Sequence, residues 1–269
     1  MSLPAGCSCY LINLDRAPER LASADRQLRA LGIPYQRVPA VDGRTLPADE
    51  LARLFSENRF YKSLIAGEAG CYLSHVEAQR HFLADGAEYA LILEDDLMLP
   101  ADLSELIAAA ICQRDAASDL AERWDVLKLY GDPKLLRAGK GGIRIAPLVS
   151  GYALVEYGLS VPAATTAALW TRRGAERFTA AFCGVTRPVD CDLQHPWEFG
   201  LEVRSVHASP VRTDNHPSMI GTGQKRPAAP WRKLVYELRR MWPKLRHFLS
   251  VYGWGPTLRM LALRRLVDR

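Results

Sequence analysis

The sequence predicts an α/β fold with a mostly parallel central sheet, and three observations lead to it. Short apolar runs alternate with stretches of helical spacing, the chain opens on a strand, a helix and a strand, and one apolar run is dense enough for burial on both faces. With 269 residues, 48% of them hydrophobic and 24% charged, the chain can bury a large core. Its composition excludes the disordered and collagen-like classes.

The elements follow in order. Residues 9–14 form a short apolar run ending in Asn-Leu-Asp, and Pro18 then stands where a first helical residue tolerates a missing N–H. Leu21, Leu28 and Leu31 keep helical spacing until Gly32 supplies the stop, and residues 35–38 read as the next strand. A helix is expected over 67–85, a doubly buried strand over 88–93, a helix capped by Asp102 and running to Ala117, and a strand over 124–130. Residues 132–150, rich in Gly, Lys and Pro, read as a long loop. One or two strands and a helix after Arg173 are expected between 151 and 183, then a last strand over 201–209. Residues 213–230 resemble a linker, and two helices are expected near 231–250 and 256–268.

Charge divides the chain. The net charge is +5, but residues 225–269 hold 12 Lys/Arg against 2 acids, net +10, which leaves residues 1–224 with 23 against 28, net −5. The expected division is therefore a main domain over 1–224 and a basic amphipathic tail over 225–269. An acidic main body argues against nucleic acid as a partner. The six cysteines show no zinc-finger spacing and read as free thiols, and neither a secretory leader nor a membrane-spanning run is visible, so a reducing cytoplasm is expected. In the tail, Arg and Lys are interleaved with Trp231, Leu234, Leu238, Met241, Trp242, Leu245, Phe248, Leu249, Trp254, Leu258, Leu261, Leu263 and Leu266, and helical spacing puts most of these on one stripe flanked by cations. Such a stripe suits the surface of an anionic membrane; a helical hairpin packed on the main body is the alternative.

The most informative feature is Glu94-Asp95-Asp96, three acids delivered at the carboxyl end of the doubly buried strand. Ligands of open α/β sheets sit at such strand ends. Side chains alternate there, so two of the three can converge while the middle one turns away. Hard carboxylate oxygens suit Mn²⁺ or Mg²⁺, ions that bridge protein carboxylates to substrate phosphates. Asp96 is the first metal-ligand candidate and Glu94 or Asp95 the second. A solvated acidic turn is the plain alternative.

The run Leu91-Ile92-Leu93-Glu94-Asp95-Asp96 resembles the metal-binding segment of glycosyltransferase family 25, the group of lipooligosaccharide and collagen galactosyltransferases. Four further segments match in order: Ile12-Asn13-Leu14-Asp15-Arg16 with Glu19-Arg20, Ala40-Val41-Asp42-Gly43, Gly67-Glu68-Ala69-Gly70-Cys71 with Leu73-Ser74-His75, and Arg187-Pro188-Val189-Asp190. The resemblance covers about residues 9–220. It implies a GT-A-like nucleotide-sugar-binding domain, a UDP-galactose or UDP-glucose donor, inversion at the anomeric carbon, and a lipopolysaccharide, lipooligosaccharide or other surface glycan or glycolipid as acceptor. That places the protein on the inner face of a bacterial inner membrane. Residues 155–165 look longer than the family pattern, which bears on acceptor choice.

The resemblance also implies roles. His216, in Asp214-Asn215-His216-Pro217-Ser218, stands as a late metal ligand, as a His near the chain's end does in some GT-A enzymes, with a solvated loop histidine as the plain alternative. Asp190 is the candidate base that takes the acceptor's proton, with Asp192 as alternative and helix capping as the structural reading. Asn13, Asp15 and Arg16 stand where such a fold receives its nucleotide, with Arg16 a phosphate partner and Arg20 equally a surface residue. Asp42 is a uracil or ribose acceptor or a plain turn residue. Ser74, His75 and Glu68 border the donor pocket or fix the helix under the sheet. Two rival functions use the same residues: a metal-dependent nucleotidyltransferase or phosphotransferase, and a catalytically inactive glycan-binding protein of the same fold.

Overall fold

The structure, a computed structural model, describes residues 2–130, 141–158, 163–213 and 229–269. Strand β1 (Cys7–Asn13) leads to helix α1 (Pro18–Ala30), which begins on its proline as expected and ends before Gly32 at φ +66°. There follow β2 (Gln36–Pro39), α2 (Ala48–Leu54), α3 (Ala66–Asp85), β3 (Tyr89–Glu94), β4 (Leu97–Met98), α4 (Leu103–Ala116) and β5 (Val126–Lys128). Asp102 stands at the N-terminus of α4, but its side chain makes no capping bond.

The second half adds β6 (Gly142–Pro147), β7 (Ala153–Tyr157), β8 (Ala167–Thr171), α5 (Arg172–Ala181), α6 (Val189–Asp192), α7 (Pro196–Phe199), β9 (Val203–His207) and β10 (Arg212–Thr213). Helices α8 (Pro230–Tyr252) and α9 (Trp254–Leu263) and strand β11 (Leu266–Asp268) close the chain.

Nine strands form one sheet in the order β11-β6-β7-β9-β5-β8-β3-β1-β2. Seven of them run the same way, and only β7 and β8 are reversed. The sheet is thus mostly parallel in strand direction, yet each reversed strand sits between two others and creates two antiparallel pairings. For β7 the reason is local: the short connection from β6 spans a hairpin but not a crossover.

Alternation along the strands builds two cores. Tyr10, Ile12, Ala90 and Ile92 join α3 and α5 through Tyr72, Phe82 and Phe178. Cys9, Leu11, Leu91 and Leu93 join α1 and α4 through Leu28, Leu106 and Ile107. With every residue of Tyr89–Leu93 buried, β3 has the doubly covered character that its apolar run predicted.

Two expectations change. Strand β6 lies within the stretch expected to be a loop, because Gly141, Gly142 and Pro147 mask the Ile143/Ile145 alternation. The last helix stops at Leu263, where Arg264 takes a left-handed conformation, and Leu266–Asp268 pairs in parallel with Gly142–Arg144 instead of continuing the helix. Phe248, Tyr252, Met260 and Val267 share a core with Ala121 and Ile143. The boundary expected at residue 224 falls outside the described residues, but the segment from 229 onward ends in β11, an edge strand of the main sheet.

Helix α8 buries a row of side chains one turn apart: Tyr236, Arg240, Lys244, Phe248 and Tyr252. The opposite stripe, with Trp231, Leu234, Leu238, Met241 and Trp242, is exposed. Hence the tail packs on the body through a mixed cationic and aromatic row and presents its apolar stripe outward. Among the described residues no helix is long and apolar enough to cross a membrane.

Candidate active site

The carboxyl ends of β1 and β3, the loop after β2 and the N-terminal half of α3 enclose a cavity of about 510 Å³. Asn13, Arg16, Asp42, Ser74, His75, Glu94, Asp95 and Asp96 all line it. Eight of the residues singled out from sequence therefore converge, because β1 and β3 are hydrogen-bonded neighbours in parallel register, with Ile12 opposite Glu94.

The loop is pressed against α3 at two glycines. A Cβ on Gly70 would come within 2.4 Å of the Val41 carbonyl oxygen, and one on Gly43 within 1.7 Å of the Ala66 carbonyl oxygen. Neither position tolerates a side chain without backbone movement. Ser74 secures the same contact: its hydroxyl accepts from Val41 N at 2.8 Å and donates to the Gly70 carbonyl at 2.6 Å. Ser74 thus ties the loop to the helix and at the same time lines the cavity, so both roles foreseen for it stay open.

Within the acidic triplet the three side chains have different partners. Asp95 is held at both oxygens, by Asn13 Nδ2 at 2.7 Å and by an Arg20 guanidinium nitrogen at 2.9 Å. Glu94 Oε1 accepts from Thr165 Oγ1 at 2.6 Å and meets His75 Nε2 at 3.0 Å. Burial opposes the charge of Glu94, but the His75 and Thr165 hydrogen bonds outweigh it and hold the carboxyl below its usual range. Asp96 has a buried Oδ1 without a hydrogen-bond partner, and Arg20 approaches its other oxygen only to 4.0 Å. Burial first, then the neighbouring charge of Glu94, pushes the Asp96 carboxyl up to about 6.

A buried carboxylate oxygen left without a donor, next to a second carboxylate, requires either a proton or a cation. Glu94 and Asp96 therefore fit a hard divalent ion, while Asp95, with both oxygens engaged, orients the turn rather than offering a ligand. Cys71, His75 and Glu94 also present ligand atoms within 4.8 Å of one another. Burial and the surrounding carboxylates keep the Cys71 thiol protonated, so this trio is a poor site for a hard cation.

At the rim, Arg16 and Arg44 clamp Asp42 at 2.7 and 2.8 Å. The Arg44 hydrogen bond, with that of Arg16, holds Asp42 well below the usual carboxylate range despite partial burial. Asp15 is not part of the cavity lining. Its carboxylate pairs with Arg37, whose Nε in turn donates to Asn13 Oδ1 at 3.1 Å.

Asp190 lies on α6, outside the lining of this cavity. Its Oδ1 accepts from Cys191 N at 2.8 Å and its Oδ2 from Ala164 N at 3.2 Å. Its charge nonetheless reaches the site: burial lowers the Lys128 ammonium to about 8, against the opposing pull of Asp190, Cys191 and Glu94. Asp192 is committed elsewhere, in a buried pair with Arg187 at 2.8 Å, and this removes it as an alternative base. His216 lies outside the described residues.

Sequence reasoning weighed Arg20 as a surface residue and passed over Arg44, Thr165 and Lys128. Arg20 carried one usable signal, its position one helical turn after Arg16 on the face that looks toward the strand ends. Thr165 and Lys128 reach the triplet only through strand pairing and gave none.

Residues 7–130 match the model of glycosyltransferase family 25, described as an LPS biosynthesis protein. Over 95 residues the chain is 35% identical to a Glycosyltransferase 25 family member of Aedes aegypti, a stretch covering 33% of this chain and 16% of that protein. A mouse protein named Inactive glycosyltransferase 25 family member 3 is 34% identical over 95 residues, again 33% of this chain and 16% of the relative. The Lacto-N-neotetraose biosynthesis glycosyltransferase LgtE of Neisseria meningitidis is 28% identical over 109 residues, 37% of this chain and 35% of LgtE. The matched stretches therefore span well under half the length of these relatives. The family-model match, residues 7–130, contains every residue that lines the cavity and stops short of Thr165 and Asp190.

Proposed function

We propose, from the premise that residues 7–130 are a glycosyltransferase family 25 segment, that the chain transfers a hexose from a UDP-sugar to a surface glycan acceptor such as lipopolysaccharide or lipooligosaccharide, with inversion. The observation that carries the reading is the unpartnered, buried oxygen of Asp96 beside Glu94 in the cavity. When bound there through Glu94 and Asp96, Mn²⁺ or Mg²⁺ supplies Lewis-acid neutralisation of the departing diphosphate.

The remaining work falls to the chain's own groups. Arg16 and Arg44 at the rim are cations in reach of a diphosphate. The first turn of α3, with Ala66 and Gly67 in the lining, adds a helix N-terminus to the same wall. Asn13 and Arg20 immobilise Asp95 and with it the turn that carries both ligands. Asp190 takes the proton from the attacking hydroxyl; its carboxylate is oriented by two backbone N–H groups, which leaves lone pairs for an acceptor.

The outward apolar stripe of α8 continues at Trp254 and Leu258 of α9 and is flanked by Arg232, Lys233, Arg239 and Arg246. This combination supports peripheral contact with an anionic membrane, on the inner face of a bacterial inner membrane where a lipid-linked acceptor is assembled.

Screening UDP-galactose, UDP-glucose and other sugar nucleotides for hydrolysis and for thermal stabilisation, with and without Mn²⁺, tests the reading. Metal-dependent stabilisation with turnover supports it. Stabilisation by UDP without turnover of any donor points to an inactive binding protein, and turnover that transfers the nucleotidyl group points to the phosphate-chemistry rival.

A further inference from the structure

A second concave site lies away from the donor cavity, where the first turns of α8 meet the main body. This groove has a volume of about 510 Å³. Its lining combines Asn58, Arg59, Phe60 and Tyr61 of the main body with Trp231, Arg232, Val235 and Arg239 of α8. Its floor includes Tyr236, which packs edge-on against both Phe60 and His195 at 5.7 and 5.3 Å between ring centroids.

The lining holds four guanidinium groups and one carboxylate, Glu198. Arg187 satisfies that carboxylate at 2.9 Å, with Arg59 at 3.6 Å. Among the described residues Arg232 and Arg239 have no ion-pair partner, and the lining itself holds more guanidinium than carboxylate groups. Two polar atoms at the groove also lack partners: the hydroxyl of Tyr236 and Nε of Arg187, on side chains that are only 8% and 5% exposed. Buried donors of this kind are normally satisfied.

Aromatic faces beside guanidinium groups and unpaired donors form a recognition set for saccharides that bear an anionic substituent. The pyranose ring lies on an aromatic face, the hydroxyls meet the unpaired donors, and arginine takes the phosphate or carboxylate. We infer that this groove binds an acidic saccharide, a sugar carrying phosphate or carboxylate, and so holds the acceptor. The acceptor role rests on the glycosyltransferase reading above; the binding itself does not.

Connectivity links the groove to the chemistry. The segment that supplies Phe60 and Tyr61 runs on into Ile65, Ala66 and Gly67 of the donor cavity. His195 donates from Nδ1 to the Cys191 carbonyl at 2.8 Å, one residue from Asp190. An acceptor seated in the groove thus lies beside the segment that carries the proposed base. The tail also gains a purpose beyond surface contact, since Trp231, Arg232 and Arg239 complete the site.

The test uses full-length protein and ligand-detected NMR or tryptophan fluorescence, with glucose 6-phosphate, glucuronic acid, glucose and inorganic phosphate as probes. Glucose 6-phosphate or glucuronic acid, or both, should bind at least tenfold more tightly than glucose and than inorganic phosphate, and a preference between the first two identifies the anionic group. Arg232→Gln combined with Arg239→Gln should weaken that binding at least fivefold while leaving UDP affinity and the melting temperature unchanged. Equal binding of glucose, equal binding of inorganic phosphate, or no effect of the double substitution would overturn the proposal. Failure of every UDP-sugar to turn over would sink the glycosyltransferase reading alone, because the binding measurements do not depend on transfer.

Discussion

Asn13 Nδ2 donates a 2.7 Å hydrogen bond to Asp95 Oδ2, joining the end of β1 to the turn after β3 across 82 residues of sequence. With Arg20 on the other oxygen, this bond makes Asp95 a positioning residue for the two carboxylates on either side of it. Asn13→Ala should lower stability by about 1.5–3 kcal/mol, the range for a buried hydrogen bond to a charged group. A double-mutant cycle with Asp95→Ala should return a coupling of about 1–3 kcal/mol. A coupling near zero would mean that the bond does not organise the turn.

Asp190→Asn keeps one of the two backbone hydrogen bonds to its side chain, since the amide nitrogen cannot accept from an N–H, and removes the basic carboxylate. Turnover should fall by about 10² to 10⁴, while UDP affinity and melting temperature stay near wild type. If UDP affinity drops in parallel with turnover, Asp190 belongs to the scaffold and another group is the base.

For the tail, replacing Leu238, Trp242 and Trp254 together by Gln leaves the buried row of α8 intact, so the melting temperature should be retained. The wild type should bind vesicles of phosphatidylglycerol and phosphatidylcholine and release partly as salt rises, each cation near the surface contributing about 1 kcal/mol. The triple variant should bind poorly. Undiminished binding by this variant would remove the membrane reading. By contrast, a chain ending at residue 228 should aggregate, because it loses β11 and the Tyr252 hydroxyl that donates to Glu156 at 2.7 Å.

His195 gives the pH prediction. Burial first, then the charge of Arg187, lowers its imidazolium from 6.5 to about 4, against the opposing hydrogen bond to the Cys191 carbonyl. Between those values the unfolded chain binds a proton that the native chain does not, so native stability falls as pH drops from 6.5 toward 4. Denaturant midpoints across this range should show a shallower acid slope for His195→Gln than for the wild type. Parallel slopes would contradict this role.

The N-terminal half was legible in the sequence because its signals are local. Pro18, Gly32 and the apolar run before Glu94 each declare an element without help from distant residues. The triplet at a strand end likewise declared a site. The differing partners of its three acids depend on which strands are neighbours, and no local pattern reports that. Strands β6 and β11 were hidden for the same reason, since each is stabilised by pairing with the other. The face that α8 turns inward was hidden by chemistry: Arg240 and Lys244 lie in its buried row, where Glu156 and Gln194 offset the cost of burying them. A reading by hydrophobicity assigns that row to solvent.

The central claim is that Glu94 and Asp96 hold a divalent ion that binds the donor's diphosphate. Calorimetric titration of UDP into the full-length protein, with Mn²⁺ and then with chelator, measures this most directly, in wild type and in Asp96→Asn. The account predicts that Mn²⁺ tightens UDP binding at least tenfold in the wild type, and that Asp96→Asn, folded and with an unchanged melting temperature, loses that enhancement while keeping its metal-free affinity. UDP binding that is indifferent to Mn²⁺ in the wild type, or a metal enhancement that survives in Asp96→Asn, would contradict it.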